Sequence, residues 1–286
     1  MTCDFSRANL RLCAVGGKSA HIAIALHACA ATASMRLFRA MAKRISGFLG
    51  GRLLLAQDED GHRAGTDAAL LVAATPREVN GLLLDVGAGV GAAGLGAALL
   101  APKAHIGLIE LDFQACELAR ENIALNGLDA RARVFETDLF DSESRRAAGL
   151  APEAARVVLT NPPFFQRGSV RVTPDPRKAS AHVGDAPLED WTRACLALLA
   201  PGGIFAMIHR ADALATCLAA LVQRIGGIEI LPIAPRDGEA ATRILLRGVK
   251  GSKAPLKLCA PLVLHAEGGG FTPLAEAIHR GEARAF

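Results

Sequence analysis

The sequence contains no tyrosine and a single tryptophan, and aromatic residues make up only 4% of the chain. So few rings exclude a long stacking platform for single-stranded nucleic acid. The seven cysteines, at positions 3, 13, 29, 116, 195, 217 and 259, never fall into a C-x-x-C pair. That spacing excludes an obvious zinc knuckle or disulfide framework, and it fits the reducing cytoplasm. No apolar run approaches the ~20 residues that a membrane span needs. Internal repeats and long linkers are also missing. The net charge of +4 carries little information, because Arg7, Arg11, Lys18, Arg36 and Arg39 against Asp4 account for all of it. Beyond residue 40 the chain is neutral overall, so any argument for a polyanionic partner must rest on local clusters.

What is present is apolar material: 51% of 286 residues, enough to build the core of one α/β domain with a short appendage. Residues 1–40 differ from the rest, with three of the cysteines, an alanine-rich stretch from His21 to Ser34 and no clear periodicity. A basic start followed by a short apolar run resembles a signal peptide. The preferred expectation is a disordered extension, or translated leader ahead of a start at Met35 or Met41. The folded domain is then expected over residues 41–286.

From Phe48 the pattern is regular. Arg52–Gln57 predicts a strand, Asp58–Gly61 a turn and Thr66–Ala74 an amphipathic helix. Strands are expected at Gly81–Val86, Ala104–Ile109, Arg131–Glu136, Arg156–Thr160, Ile204–Ile208, Ile228–Pro232 and Thr242–Arg247. Helices are expected from the glycine loop to about Leu100, and at Phe113–Asn126, Leu188–Leu199 and Ala211–Ile225, with a turn at Pro201-Gly-Gly203. Alternating βα units predict a mostly parallel, Rossmann-like sheet with helices on both faces. The last two strands lack an intervening helix, which predicts an antiparallel strand at one edge.

Asp85-Val-Gly-Ala-Gly-Val-Gly91 sits where a strand turns into a helix. Gly87 and Gly89 let backbone approach a ligand closely and take positive φ. With Ala92 they also satisfy the dinucleotide fingerprint, and the plain alternative is a tight βα turn. The acids around the loop discriminate. Asp85 would oppose a pyrophosphate but suits an amino-bearing ligand. Glu110 ends the next strand, where an acid can bind both ribose hydroxyls. Asp138 follows the third strand and can accept from an adenine amino group, with Leu139 and Phe140 as an apolar wall. Each acid alone is more often a solvated loop residue; three at successive strand ends outline an amino acid, a ribose and an adenine without phosphate. S-adenosylmethionine fits that outline better than NAD.

The strand ending at Thr160 runs into Asn161-Pro162-Pro163-Phe164-Phe165. Paired prolines make a stiff corner whose carbonyls remain free acceptors. The Asn161 side-chain oxygen and the Pro162 carbonyl can converge on one –NH2 group, while Phe164 stacks on a planar base. An exocyclic adenine amine is a poor nucleophile because its lone pair is delocalised. Two acceptors favour a pyramidal nitrogen and stabilise the positive charge that develops on transfer.

The glycine loop and the Asn-Pro-Pro-Phe corner together resemble the class I amino-methyltransferases, whose seven-stranded sheet has an antiparallel final strand. More narrowly, the chain is similar to the bacterial tRNA(Val) adenine-N6 methyltransferase family, which modifies the adenine next to the anticodon. The likeness runs from about Phe48 to the C-terminus. It includes Arg63-Ala-Gly-Thr-Asp67, Glu110-Leu-Asp112 and Arg243-Ile-Leu-Leu-Arg247. It implies that Asp85, Gly87, Gly89, Glu110, Asp138 and Leu139 hold S-adenosylmethionine and that Thr66 and Asp67 close over its methionine end. It also implies that Asn161, Pro162, Pro163 and Phe164 hold the target base. The family's corner commonly ends in tyrosine; Phe164 keeps the stacking surface and lacks the phenolic hydroxyl.

Two basic clusters flank these motifs. Arg167, Arg171, Arg177 and Lys178 face only Asp175 just after the corner. Arg236, Arg243, Arg247, Lys250, Lys253 and Lys257 outnumber Asp237 and Glu239 near the end. Cationic loops beside an amine-binding corner can hold phosphates, although ordinary surface charge reads the same way. The expectation is a cytoplasmic, metal-free, monomeric enzyme acting on a tRNA or other structured RNA with one base flipped out. The alternatives are methylation of ribosomal RNA or DNA, a glutamine-N5 methyltransferase acting on a release factor, an NAD-binding dehydrogenase, and a binding module without catalysis.

Overall fold

A computed structural model describes residues 43–58, 65–163 and 188–286, all within one unit, Lys43–Phe286. The expectation for residues 1–40 lies outside this set, as do the turn at 59–61, Arg63, Phe164, Phe165, Arg167, Arg171, Arg177 and Lys178.

Short apolar runs bounded by glycine or charge become the strands. β3 (Gly81–Val86), β4 (Ala104–Glu110), β5 (Ala132–Glu136), β6 (Ala155–Thr160) and β7 (Leu199–Arg210) are mutually parallel. β8 (Ile225–Ala234) and β9 (Arg243–Lys250) follow, and the short β10 (Lys257–Leu258) and β11 (Leu262–Val263) pair with β8. Together they form a nine-stranded sheet in the order β10-β8-β9-β7-β6-β3-β4-β5, with β11 also on β8. The chain winds outward from β3 through β4 to β5, then returns to β6 on the other side of β3. That reversal leaves a crevice at the C-terminal strand ends, where open α/β sheets bind ligands.

The expected antiparallel hairpin is β8–β9, with one correction of position. β9 lies between β7 and β8 and is antiparallel to both, so it is an interior strand rather than the edge. Adding β10 and β11 beyond β8 covers its outer side. Pro201-Gly-Gly203 forms no separate turn. It is a bulge inside β7, where the partner of Ala155 is Leu199 but the partner of Val157 is already Ile204. Gly202 takes φ 73° there, a conformation proline-flanked glycine tolerates.

Helices cover both faces. α1 (Thr66–Ala74), α2 (Ala92–Leu100) and α3 (Phe113–Leu125) pack on one, sharing a core with Leu83, Ile106, Leu159, Ala206 and Ile208. α4 (Ser142–Ala147), α5 (Leu188–Leu198) and α6 (Leu214–Leu221) belong to the other side, whose core includes Leu84, Val158, Trp191, Phe205 and Met207. α7 (Pro273–His279) closes the chain, started by Thr272, whose hydroxyl caps Ala275 N.

A separate antiparallel hairpin precedes the sheet: β1 (Lys43–Phe48) and β2 (Leu53–Asp58). Its second strand was legible, its first was not. The free side of β2 is completed by Asn122 of α3 and by Asn126, which caps its C-terminus. Asn122 exchanges hydrogen bonds with Ala56 N and O at 2.6 and 3.1 Å. Asn126 does the same with Leu54 at 2.9 and 2.7 Å.

Candidate functional site

The register sets the candidate residues in one row. Val86 pairs with Ile109 and Thr160, Glu110 with Glu136, and Thr160 with Met207. Level strand ends spaced by ~4.8 Å place Asp138, Glu110, the glycine loop and Asn161 across ~14 Å of one rim.

The glycine loop is a turn that only glycine takes easily: φ is 72° at Gly87, 53° at Gly89 and 86° at Gly91. Gly87 N and Ala88 N both donate to Ile109 O, at 2.9 and 3.0 Å, which folds the loop across β4. A side chain at Gly87 would stand 3.0 Å from the Trp191 ring, whereas nothing lies within 4 Å of one at Gly89. The loop is therefore packed from below and open at Gly89.

Asp85 is the penultimate residue of β3 and is buried. Its Oδ2 accepts from Gly94 N at 2.7 Å, in the first turn of α2. Burial pushes its carboxyl up to about 7, the Gly94 amide opposing that rise and the negative Glu110 adding to it. Glu110 is held more completely. Oε2 accepts from Gly89 N at 2.8 Å, and Oε1 accepts from Leu111 N and Asp112 N at 2.8 and 3.0 Å. Of the carboxylate's roughly four acceptor positions, backbone fills three, leaving one on Oε2. As it stands, Glu110 has room for one further donor; the two hydroxyls expected from the sequence would require Gly89 N to let go.

Asp138 is half-buried after β5, and its Oδ1 accepts from Phe140 N at 2.8 Å in an Asx-type turn. Leu139 is buried beside it, and its carbonyl accepts from Arg145. At the other end of the row, Pro162 is buried and Asn161 and Pro163 are half-buried. The Asn161 Oδ1 atom is buried without a hydrogen-bond partner among the described residues. A buried amide oxygen left unpaired costs ~1–3 kcal/mol, so it marks a position built to receive a donor.

The residue that sequence reasoning passed over is Trp191 on α5. Its Nε1 donates to Thr160 Oγ1 at 2.9 Å, and Thr160 Oγ1 donates to Val86 O at 2.9 Å. The ring also meets Phe140 edge-on, with centroids 6.0 Å apart. One side chain thus braces the glycine loop, the corner and the Asp138 turn from beneath. The available signal was a lone tryptophan in a strongly amphipathic helix. Asn122 was also missed. Fully buried, it donates to Val90 O of the glycine loop at 3.0 Å as well as to β2.

Thr66 and Asp67 open α1 at the same end of the sheet. Thr66 Oγ1 lies 3.1 Å from His279 Nε2, and Asp67 Oδ2 accepts from Arg243 Nε at 3.1 Å.

The second basic cluster is dispersed, which corrects its reading as one patch. Arg243 begins β9 opposite Arg210, at the rim. Arg247 lies mid-strand, pairing with Glu229 and covering the Phe286 ring at 4.3 Å. Lys250 is at the far end of β9, where it caps α5 by donating to Leu196 O and Leu199 O at 2.8 and 2.7 Å. Lys253 follows it, seven or more strand residues from the rim, or ~23 Å. Cation spacing in sequence was read as proximity, but an extended strand carries the later lysines away from the corner.

Burial pushes the Cys116, Cys195 and Cys217 thiols well above their ordinary range, so none is a ready nucleophile. Among the described residues no group of His, Cys, Asp or Glu is arranged to hold a metal. No described helix is long and apolar enough to cross a membrane.

Comparison with known proteins agrees with the fold. Residues 62–175 match the family model described as the methyltransferase small domain. Over 240 residues the chain is 30% identical to a tRNA1(Val) (adenine(37)-N6)-methyltransferase of Aeromonas salmonicida, covering 80% of this chain and 93% of that protein. A protein of the same name from Porphyromonas gingivalis is 32% identical over 156 residues, 53% of this chain and 60% of its own length. Among solved structures, a predicted O-methyltransferase from Agrobacterium tumefaciens is 34% identical, with a TM-score of 0.65 over 76% of this chain and 97% of that one.

Proposed function

The chain belongs to the bacterial tRNA1(Val) (adenine(37)-N6)-methyltransferase family, and from that premise we propose that it methylates N6 of an adenine in tRNA, next to the anticodon, with S-adenosylmethionine as donor. The observation that carries the chemistry is the buried, unpartnered Asn161 Oδ1 at the rim. An oxygen acceptor there suits an –NH2 group and would repel a carbonyl or phosphate. Asn161 Oδ1 and the Pro162 carbonyl each accept one N–H of the amine, which points the nitrogen lone pair away from the corner and toward the glycine loop. As the nitrogen becomes positive, both acceptors bind its hydrogens more strongly, so they favour the transition state over the ground state. No general base is required, because the methylated ammonium loses its proton readily to water.

The row fits the cofactor. Bound S-adenosylmethionine supplies an electrophilic methyl group from its sulfonium. Asp138 accepts from the adenine amino group beside the apolar Leu139, and Glu110 accepts from the ribose. Asp85 stabilises the amino-acid end through the first turn of α2, and the space beside Gly89 admits close backbone approach. Gly87 and the other loop glycines keep this surface free of side chains. Phe164 and the cations Arg167, Arg171, Arg177 and Lys178 directly follow the corner in sequence, which supports roles in stacking on the base and holding phosphates. Arg243 and Arg247 are engaged in ion pairs, and Lys250 and Lys253 lie at the opposite end of the sheet, so we assign RNA contact to the first cluster. The cytoplasm, where tRNA is modified, is the corresponding site of action.

The test is methyl transfer from labelled S-adenosylmethionine to total bacterial tRNA, followed by nucleoside analysis. N6-methyladenosine in a tRNA fraction is expected. Label only in ribosomal RNA or in a release factor would overturn the substrate and retain the site chemistry.

A further inference from the structure

Arg243 carries a guanidinium at the rim, close to where RNA would lie, and it pairs with the first turn of α1. Its Nε donates to Asp67 Oδ2 at 3.1 Å and its Nη1 donates to Thr242 O at 3.2 Å. The two side chains are 32% and 22% exposed, so the pair is partly shielded from water and is worth more than a surface pair. One residue earlier, Thr66 Oγ1 lies 3.1 Å from His279 Nε2. His279 Nδ1 is 2.7 Å from Ala275 O. A carbonyl only accepts, so Nδ1 carries the proton, and in the neutral ring Nε2 must accept from the Thr66 hydroxyl. That leaves Thr66 Oγ1 free to accept from a further donor. The His279 ring is fixed in turn by stacking on Phe271, centroids 4.1 Å apart.

α1 needs this help. Its N-cap is Gly65, which offers no side-chain cap. At the other end of the helix, Ala285 N donates to Ala73 O at 3.0 Å. The last part of the chain thus holds α1 at both ends, and at the first turn it does so through two polar side chains.

We infer that Arg243 and His279 are positioning residues that aim Asp67 and Thr66 at the amino group of the cofactor held at the glycine loop, and that Arg243 is not an RNA ligand. The inference rests on the cofactor reading above. Both aimed groups are acceptors, a carboxylate and a hydroxyl whose proton is turned toward His279, and a primary ammonium is the donor that matches them.

The test is calorimetric binding of S-adenosylmethionine to the full chain without RNA, alongside tRNA affinity as a function of salt. Arg243→Gln is expected to weaken cofactor binding roughly fivefold while leaving tRNA affinity and its salt slope unchanged. Arg243→Lys should recover part of the loss. Arg243→Gln combined with Asp67→Asn should bind no more weakly than Asp67→Asn alone, since both remove one interaction. His279→Phe, which keeps the stack but not the nitrogen, should weaken the cofactor by a smaller factor. Unchanged cofactor affinity in Arg243→Gln, or a salt slope reduced by about one, would overturn the inference. Should that variant not fold, Arg243→Lys measured against wild type decides in the same way. Failure of the wild-type chain to bind S-adenosylmethionine would instead sink the cofactor reading itself.

Discussion

On the β3–β4 side of the crevice the acids already have partners; at the end of β6 the side-chain oxygen of Asn161 has none among the described residues. Glu110 accepts three backbone N–H groups and Asp85 accepts one, whereas Asn161 Oδ1 accepts none. The first half is a self-consistent piece of folded backbone that happens to offer a ligand its spare valences. The second half is incomplete until a donor arrives. Groups that maintain the fold and groups that do chemistry therefore sit four strands apart or less on one rim, and mutation should separate them.

The sharpest break is expected at the unsatisfied half. Asn161→Ala should lower methyl transfer by at least ~10²-fold, with S-adenosylmethionine affinity nearly unchanged by calorimetry. A variant that loses cofactor binding as well would erase the distinction between the halves. Next comes Glu110→Gln, whose NH2 group cannot accept from the facing amides. It should cost roughly 1–3 kcal/mol of stability from stranded N–H groups and weaken the cofactor at the same time. Loss of binding without loss of melting temperature would mean that Glu110 serves only the ligand.

A pH experiment sharpens the comparison further. Asp85 titrates near 7 when folded and near 3.8 otherwise, so the folded state favours its neutral form. The stability this contributes is complete below about pH 4, declines as pH rises, and is gone above about 7, with a slope of at most ~1.4 kcal/mol per unit. Asp85→Asn should flatten that part of the melting-temperature profile between pH 5 and 7; an unchanged profile would show the group to be solvated. The smallest effect is expected away from the rim. Lys250→Met should destabilise the protein by roughly 1 kcal/mol through loss of the α5 cap, with tRNA affinity and its salt dependence the same as wild type. A weaker tRNA complex would return Lys250 to the interface.

Most of the sheet was legible because its strands are short apolar runs bracketed by glycine or charge; α1 has the expected bounds but is not amphipathic, since Ala69–Ala74 are all buried. The errors share a cause: pairing partners decide what local pattern leaves open. β1, with its mostly exposed Lys43–Phe48, is a strand only because β2 lies beside it. Pro201-Gly-Gly203 reads as a turn until β6 draws it into a bulge. β9 reads as a last edge strand, yet it slots inside because β8 lies parallel to β7. At the site, the glycine loop, the acids and the corner were visible as motifs. Trp191 and Asn122 were not, since neither sits in a motif and each acts by touching distant segments, three for Trp191 and two for Asn122. The charge cluster around Arg243 misled because residues spaced along an extended strand travel far apart, ~3.3 Å per residue.

The two asparagines at the end of α3 illustrate a numerical coincidence of polypeptide geometry. Four residues of helix rise ~6.0 Å and two residues of strand ~6.6 Å. Amides at Asn122 and Asn126 therefore reach Ala56 and Leu54 in step, and a helix stands in for a neighbouring strand. The substitution closes an otherwise open ladder edge against pairing with another chain. It also means that the hairpin and the glycine turn at Val90 share the Asn122 side chain, so a chain that loses Asn122 should bare part of the β2 edge and loosen that turn in the same stroke.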